Sequence, residues 1–256
     1  GTAKAILTGI GSFAGEITVP FEIGVAIDAA NFPDENFRTY VKEKFDTTAD
    51  DILSKDEREQ VTGIAVRSKG IADLTGVEYF TALLNLSCEN NNLTELNVRQ
   101  NPDLQWLSCY NNNLTELDVR QNTALQKLHC FDNNLTELDV RQNMALQILN
   151  CRNNQLTELN VRQNTALRTL DCSSNQLTEL DVRQNPDLQW LYCYNNNLTE
   201  LDVCQNPKLR SLQCDNNNLT ALDLSQNTAL TDLNCSNNTY SIALTGGAFD
   251  LSTLPG

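Results

Sequence analysis

The sequence predicts a solenoid of short stacked coils sharing one set of parallel strands, α/β or mostly β, behind a helical N-terminal cap and an N-terminal β-hairpin. Three observations predict it. First, Cys88, Cys109, Cys130, Cys151, Cys172, Cys193, Cys214 and Cys235 recur every 21 residues without a slip, and self-similarity at roughly 20–50 residues marks stacked repeats. Second, apolar residues hold fixed places around each cysteine, as in Leu104, Leu107, Cys109, Leu114, Leu117 and Val119. They form two alternating runs about 10 residues apart, the spacing of extended chain, so each coil is expected to have two strand-like sides. Third, an Asn stands at a constant offset in every coil: Asn91, Asn112, Asn133, Asn154, Asn175, Asn196, Asn217 and Asn238. Pointing inward, its amide would satisfy buried backbone groups that otherwise cost about 1–3 kcal/mol each. No single unit buries a core alone, but coils stacked ~4.8 Å apart bury a continuous one.

The units are read in order. A 22-residue unit, VTGIAVRSKGIADLTGVEYFTA, runs from Val61 to Ala82, with Lys69 where the Asn is expected. Seven complete 21-residue units follow from Leu83 to Ala229, and then a partial one. The shared pattern is LxxLxCxxNxLTELDVxQNxx. It resembles the 21-residue, IRREKO-type leucine-rich repeats of secreted and surface proteins of gut bacteria, and the first unit resembles the 22-residue internalin-like kind. The resemblance covers about 180 residues and implies a right-handed leucine-rich repeat solenoid. It also implies that the LxxLxC strands line the concave sheet that grips ligands.

The N-terminal region divides in two. Residues 1–30 contain KAILTGIGSFAGEITVPFEIG, alternating apolar and polar residues around Gly-rich turns, which predicts a β-hairpin. It resembles the closing hairpin of bacterial immunoglobulin-like modules. Residues 31–60 predict a helical cap, with Phe37, Tyr40, Val41 and Phe45 at helical spacing after Asp34 as N-cap. Within it DTTADDILSKDE resembles an EF-hand or dockerin calcium loop, implying Asp46, Thr48, Asp50, Ile52, Ser54 and Glu57 at ligand positions 1, 3, 5, 7, 9 and 12. Asp51 replaces the turn glycine, and only one loop is present, so a loop serving as a turn between helices is the competing expectation. The solenoid is placed at 61–235. Residues 236–256 lose the Leu pattern, with Tyr240, Ala243 and Thr245 in its place, and are expected to begin a C-terminal cap or a further module. The missing initial Met and both ends fit a segment of a longer surface protein.

Composition excludes several function classes. The net charge of −15 opposes binding to a phosphate backbone, and no run reaches the ~18 apolar residues of a membrane span. Without a CxxC pair and with His129 as the single histidine, the nine cysteines suit neither a zinc site nor a disulfide framework. In-register side chains point the same way, so the eight periodic cysteines are expected to be buried thiols packed as small hydrophobes. Cys204 falls where other units carry Arg99, Arg120, Arg141, Arg162 or Arg183, and is expected at the surface. No nucleophile and base, phosphate loop or contrasting carboxylate pair emerges, so the chain is read as non-catalytic.

Comparing the coils with one another separates two sides. Outward residues of LTELDVRQ hardly change, as in Thr115, Glu116, Asp118 and Arg120 followed by Thr136, Glu137, Asp139 and Arg141. This is a solvated charge ladder. On the LxxLxC side, the positions three before, one before and one after the cysteine vary, and both tryptophans of the chain stand there with three of its six tyrosines. Two clusters result: Trp106, Tyr110, His129, Phe131 and Arg152, and Trp190, Tyr192 and Tyr194. Exposed Trp, Tyr and Arg concentrate interface energy, so these are the expected ligand-binding residues. Rings stacked into stabilising ladders are the alternative. The expected function is an extracellular or cell-surface bacterial binding module for a protein, with a glycan as the second candidate; a rigid spacer is the competing expectation. No cofactor is expected beyond the calcium that the loop's resemblance implies, no nucleic-acid partner and no membrane insertion.

Overall fold

The computed structural model describes residues 2–8, 16–22 and 24–240, with side chains over 24–240. β1 (Thr2–Thr8) and β2 (Glu16–Glu22) pair antiparallel, Ala5 opposite Val19, as the expected hairpin. Its Gly-rich turn, which carries the immunoglobulin-like resemblance, lies outside the described residues, as do Ala243 and Thr245.

The cap begins with β3 (Val25–Ala26), which pairs antiparallel with β4 (Ile52–Leu53). Between them runs α1 (Glu35–Phe45), started by Asp34, whose side chain accepts from the Phe37 backbone N–H. Its apolar stripe buries Phe37 and Val41. Phe45 meets the Phe80 ring at 5.2 Å, and Phe32 meets Phe37 and Tyr79 at 5.8 and 5.7 Å, so helix and first coil share one core. Gly76 (φ +108°) passes against the Phe32 ring, where any Cβ would collide. α2 (Lys55–Glu59) opens with a capping box in which Ser54 and Glu57 exchange hydrogen bonds.

The solenoid contributes β5 (Gly63–Ala65), β6 (Asn85–Ser87), β7 (Trp106–Ser108), β8 (Lys127–His129), β9 (Ile148–Asn150), β10 (Thr169–Asp171), β11 (Trp190–Tyr192), β12 (Ser211–Gln213) and β13 (Asp232–Asn234). They form one nine-stranded parallel sheet in chain order, with Leu86, Leu107, Leu128 and Leu149 in register on the inner face. Each coil adds residues such as Leu104, Leu107, Cys109, Leu114 and Val119 at zero exposure, each buried Leu or Val stabilising by about 1.5–3 kcal/mol. Two residues after each cysteine the backbone turns left-handed, at Asn90, Asn111, Asp132, Asn153, Ser174, Asn195, Asn216 and Asn237. Asn and Asp tolerate that region, which accounts for the first Asn of most CxNN sequences.

The second Asn is the expected ladder. Asn112 donates to the carbonyls of Cys88 and Cys109 at 3.1 and 3.0 Å, and its Oδ1 accepts from the Leu93 N–H at 3.0 Å. The pattern repeats coil by coil, for example at Asn133 and Asn154.

One expectation is corrected. The LTELDV side is not a second sheet: it holds no strand, and its backbone closes turns within the coil, as in Asn122 N–H to Val119 O at 3.0 Å. The alternation of Leu114, Leu117 and Val119 still buries those residues, but alternation reports which side chains face inward and not whether neighbouring backbones exchange hydrogen bonds. Another Asn row takes over that task. Asn122 Nδ2 donates to Val98 O and Asn101 O of the preceding coil at 2.9 and 2.8 Å, and Asn143, Asn164, Asn185, Asn206 and Asn227 do the same.

Candidate binding face

The outer face of β6–β12 carries the variable positions in the expected register. Asn85, Trp106, Lys127, Ile148, Thr169, Trp190 and Ser211 form one row across the coils. A second row runs from Ser87 through Ser108, His129, Asn150, Asp171 and Tyr192 to Gln213. A third follows the cysteines.

The third row splits the first expected cluster. Tyr110 and Phe131 stack at 4.2 Å between centroids, nearly parallel at 8°, and the Arg152 guanidinium lies over Phe131 at 4.8 Å. Arg152 also faces Asp132 at 3.9 Å. Tyr110, Phe131 and Arg152 are therefore a ladder of ring, ring and cation, and they turn part of their surface to one another. Trp106, in the same coil as Tyr110, joins no ring contact among the described residues and is 40% exposed. In the second cluster Trp190, Tyr192 and Tyr194 are each half-buried, again with no ring pairing among the described residues.

Several outward positions are less open than their spacing implies. Glu89, Ser108, Ser173 and Ser211 are buried, the three small serines because they lie below the larger side chains stacked beside them. His129 is half-buried, and burial, with the Lys127 charge, holds its imidazole below the usual range against the opposing pull of Glu89. At physiological pH it is a neutral ring. Burial raises the Asp171 carboxyl despite hydrogen bonds from Ser173. The varied positions of these coils carry Lys127 and Arg152 against Glu89, Asp171 and Asp215. The face is near charge balance while the chain as a whole is not.

The opposite side is self-compensated. Arg120, Arg141 and Arg183 each grip the Asp two residues earlier through Nε and Nη2 at 2.8–2.9 Å. Where Asn97 or Asn160 takes the Asp position, Arg99 and Arg162 reach forward to Asp118 and Asp181 of the next coil. The guanidinium of Arg120 holds the Asp118 carboxyl far below its ordinary range, as Arg183 does for Asp181. A hollow of about 680 Å³ lined by Arg162, Asp181, Arg183, Gln184, Pro186 and Gln205 lies here, but both arginines are already engaged by Asp181.

All nine cysteines are free thiols, the eight periodic ones fully buried. Burial drives the thiols of Cys109, Cys130, Cys151, Cys172 and Cys193 far up, and Cys214 to about 12. They are inert packing groups. Cys204 is half-buried, and its hydrogen bond with Asp202 pushes the thiol up, which keeps it protonated and slow to react despite its access to solvent.

In the calcium-like loop, Asp46 accepts from the backbone N–H groups of Asp50 and Asp51 at 3.2 and 3.0 Å, and Asp51 adopts the left-handed conformation (φ +62°) usually given to glycine. Glu57 Oε1 accepts from the Thr47 N–H and hydroxyl and from the Thr48 N–H, and Oε2 from the Ser54 N–H and hydroxyl. Burial opposes ionisation of Glu57, but these donors outweigh it and bring the carboxyl down to about 2. Calcium held by Glu57 must replace those five hydrogen bonds. Among the described residues no group of three or more His, Cys, Asp or Glu is arranged around a metal position.

No protein-family model matches the chain. Internalin J of Listeria monocytogenes is 46% identical over 70 residues, 27% of this chain and 8% of that protein. The functional domain of InlJ from Listeria monocytogenes, which includes a cysteine ladder, superposes with a TM-score of 0.82 at 43% identity, over 87% of this chain and 50% of that one. A leucine-rich repeat protein of Leptospira interrogans superposes with a TM-score of 0.68 at 29% identity, over 74% of this chain and 53% of that one. The chain folds as a leucine-rich repeat solenoid similar to the internalin-type domain of InlJ. It spans half of the InlJ domain and a small part of Internalin J. In this chain the eight periodic thiols lie one per coil, 21 residues apart, each fully buried.

Sequence reasoning found the two clusters but not their difference. Trp106 and Tyr110 look equivalent in composition, and only the register shows that Tyr110 has Phe131 beneath it while Trp106 has Lys127. The bridging role of the second Asn row was also missed, although its constant QN position carried the signal.

Proposed function

We propose that this internalin-type domain is a non-catalytic binding module, part of a bacterial cell-surface or secreted protein, which engages a protein through the outer face of β6–β12. The observation that carries the reading is Trp106, a large ring 40% exposed on a regular sheet, with no ring stacked on it among the described residues. Trp190, Tyr192 and Tyr194 extend the same chemistry, and a face near charge balance suits a protein surface better than a polyion. The internalin-type fold supports the protein-interaction class. Among the described residues no helix is long and apolar enough to cross a membrane.

The competing reading, a spacer whose rings only brace the sheet, is favoured by the Tyr110, Phe131 and Arg152 stack. The two readings divide the residues between them: the stack braces, the unstacked rings bind. Binding of the labelled domain to bacterial and host cells and to a glycan array, repeated with Trp106→Ala, Trp190→Ala and Tyr194→Ala, tests it. Loss of protein-dependent cell binding with unchanged circular dichroism is expected. Binding unaffected by all three substitutions sinks the proposal, and Trp-dependent retention on glycans alone replaces the protein by a sugar.

A further inference from the structure

We infer that the face holds two tryptophan-centred subsites and takes a bivalent protein ligand, one element with two apolar side chains set about 19 Å apart. The inference rests on the binding role proposed above. Its observation is a repetition within the repeat: PDLQWLSCYNNNLTELDVRQN at residues 102–122 and PDLQWLYCYNNNLTELDVCQN at 186–206 differ at two positions, whereas coils between them share only the scaffold. PDLQW occurs in these two coils alone. Scaffold needs do not select Trp at this position, because Asn85, Lys127, Ile148, Thr169 and Ser211 occupy the same row of the same sheet.

Register fixes the spacing. From Trp106 the row passes Lys127, Ile148 and Thr169 to Trp190, four strand steps. At ~4.8 Å per step the two rings are about 19 Å apart along the sheet. Each tryptophan has a tyrosine four residues on, Tyr110 and Tyr194, of which Tyr110 is stacked on Phe131, so the two subsites share their tryptophan and its place in the coil. Between them the varied positions carry Lys127 and Arg152 against Asp171, a mixed surface that neither demands nor repels a highly charged ligand. That favours a protein element lying across the coils, with an apolar side chain at each tryptophan, over a cationic polymer. An extended segment meets the spacing with residues about six apart, which face the same way.

The test changes the spacing and leaves the subsites alone. Deleting residues 165–185 removes one whole coil and joins Asn164 to Pro186, a junction that Asn101 and Pro102 already form. Repeat arrays tolerate loss of an internal unit because each contacts only its neighbours. The distance between the rings then shortens by about 4.8 Å. Phage-displayed random peptides of about 16 residues, long enough to span both rings when extended, are selected on the intact domain. Enriched clones are then measured against Trp106→Ala, Trp190→Ala and the coil deletion. A bivalent ligand loses about tenfold or more with either substitution and a similar factor with the deletion. Clones that depend on one tryptophan and bind the deletion variant undiminished overturn bivalency while leaving the binding face standing. Clones indifferent to both tryptophans, or no enrichment at all, overturn the binding face itself. Tryptophan-dependent binding seen only with oligosaccharides overturns the protein ligand.

Discussion

The two long sides of each coil bury similar Leu-rich runs, yet they are held by different means. On the strand side, Asn133 bonds four backbone groups of two coils, and the sheet ladder runs alongside. On the LTELDV side, Asn143 bonds two carbonyls of the preceding coil, and its Oδ1 is buried without a protein donor. The strand side has spare outward positions that vary; the other spends its outward positions on pairing Asp with Arg. A side whose backbone is knit by a ladder can vary its surface without weakening the stack, whereas a side knit mainly by side chains, with one backbone bond per coil at its first Leu, repeats the same letters.

Asparagine truncation tests that contrast most strongly. Asn133→Ala leaves the buried Leu114 N–H unpaired and takes one of two amide donors from each of the Cys109 and Cys130 carbonyls, which keep Asn112 and Asn154, and is expected to cost about 3 kcal/mol in urea unfolding. Asn143→Ala takes one donor from each of the Val119 and Asn122 carbonyls, which keep their backbone donors Asn122 and Leu125, and removes an unsatisfied acceptor, so about 1–2 kcal/mol is expected; equal losses would break the comparison. Next, within the strand face, Phe131→Ala strips a ring held between Tyr110 and Arg152 and is expected to cost about 1–2 kcal/mol, whereas Trp106→Ala stays within about 0.5 kcal/mol. A larger stability loss at Trp106 would make it a brace.

The sides also differ in their response to acid. Asp118 is lowered by Arg120, so its contribution is in place above the ordinary 3.8 and fades as pH falls toward its own pKa. Asp171 is raised by burial, so its contribution is present below 3.8 and is lost as pH rises through its folded value. Carboxyl carbon shifts followed by NMR are expected to show Asp171 taking its proton well before Asp118. A smaller effect is expected from Arg141→Ala: its pair with Asp139 is exposed and screened, so the urea midpoint is expected to move little, and less still in high salt. The smallest is expected in the cap, outside both sides. With Glu57 committed to Thr47, Thr48 and Ser54, calcium at about 1 mM is expected to give no calorimetric heat, and a heat absent from Glu57→Gln would restore the loop as a calcium site.

Much of the fold was legible because repetition supplies its own comparison. Cys109 against Cys130, or Asn112 against Asn133, identifies inward positions, and α1 was readable from Asp34 and the spacing of Phe37 and Val41. The candidate face was legible as a set of variable positions. Which rings stack was not, since Tyr110 and Phe131 stand 21 residues apart and meet only through strand register. Nor did alternation in Leu114, Leu117 and Val119 disclose that their side lacks a sheet.

By itself, then, the sequence determined the coil: its period, its inward Leu, Cys and Asn, and the side on which variation is allowed, because these follow from burial repeated along the chain. Tertiary structure alone decided what adjacent coils do to one another. Stacking turned Phe131 into a brace, left Trp106 open, sank Glu89 and Ser108, and gave Asn122 its bridging bonds, since each outcome depends on which atoms from the next coil arrive within contact distance.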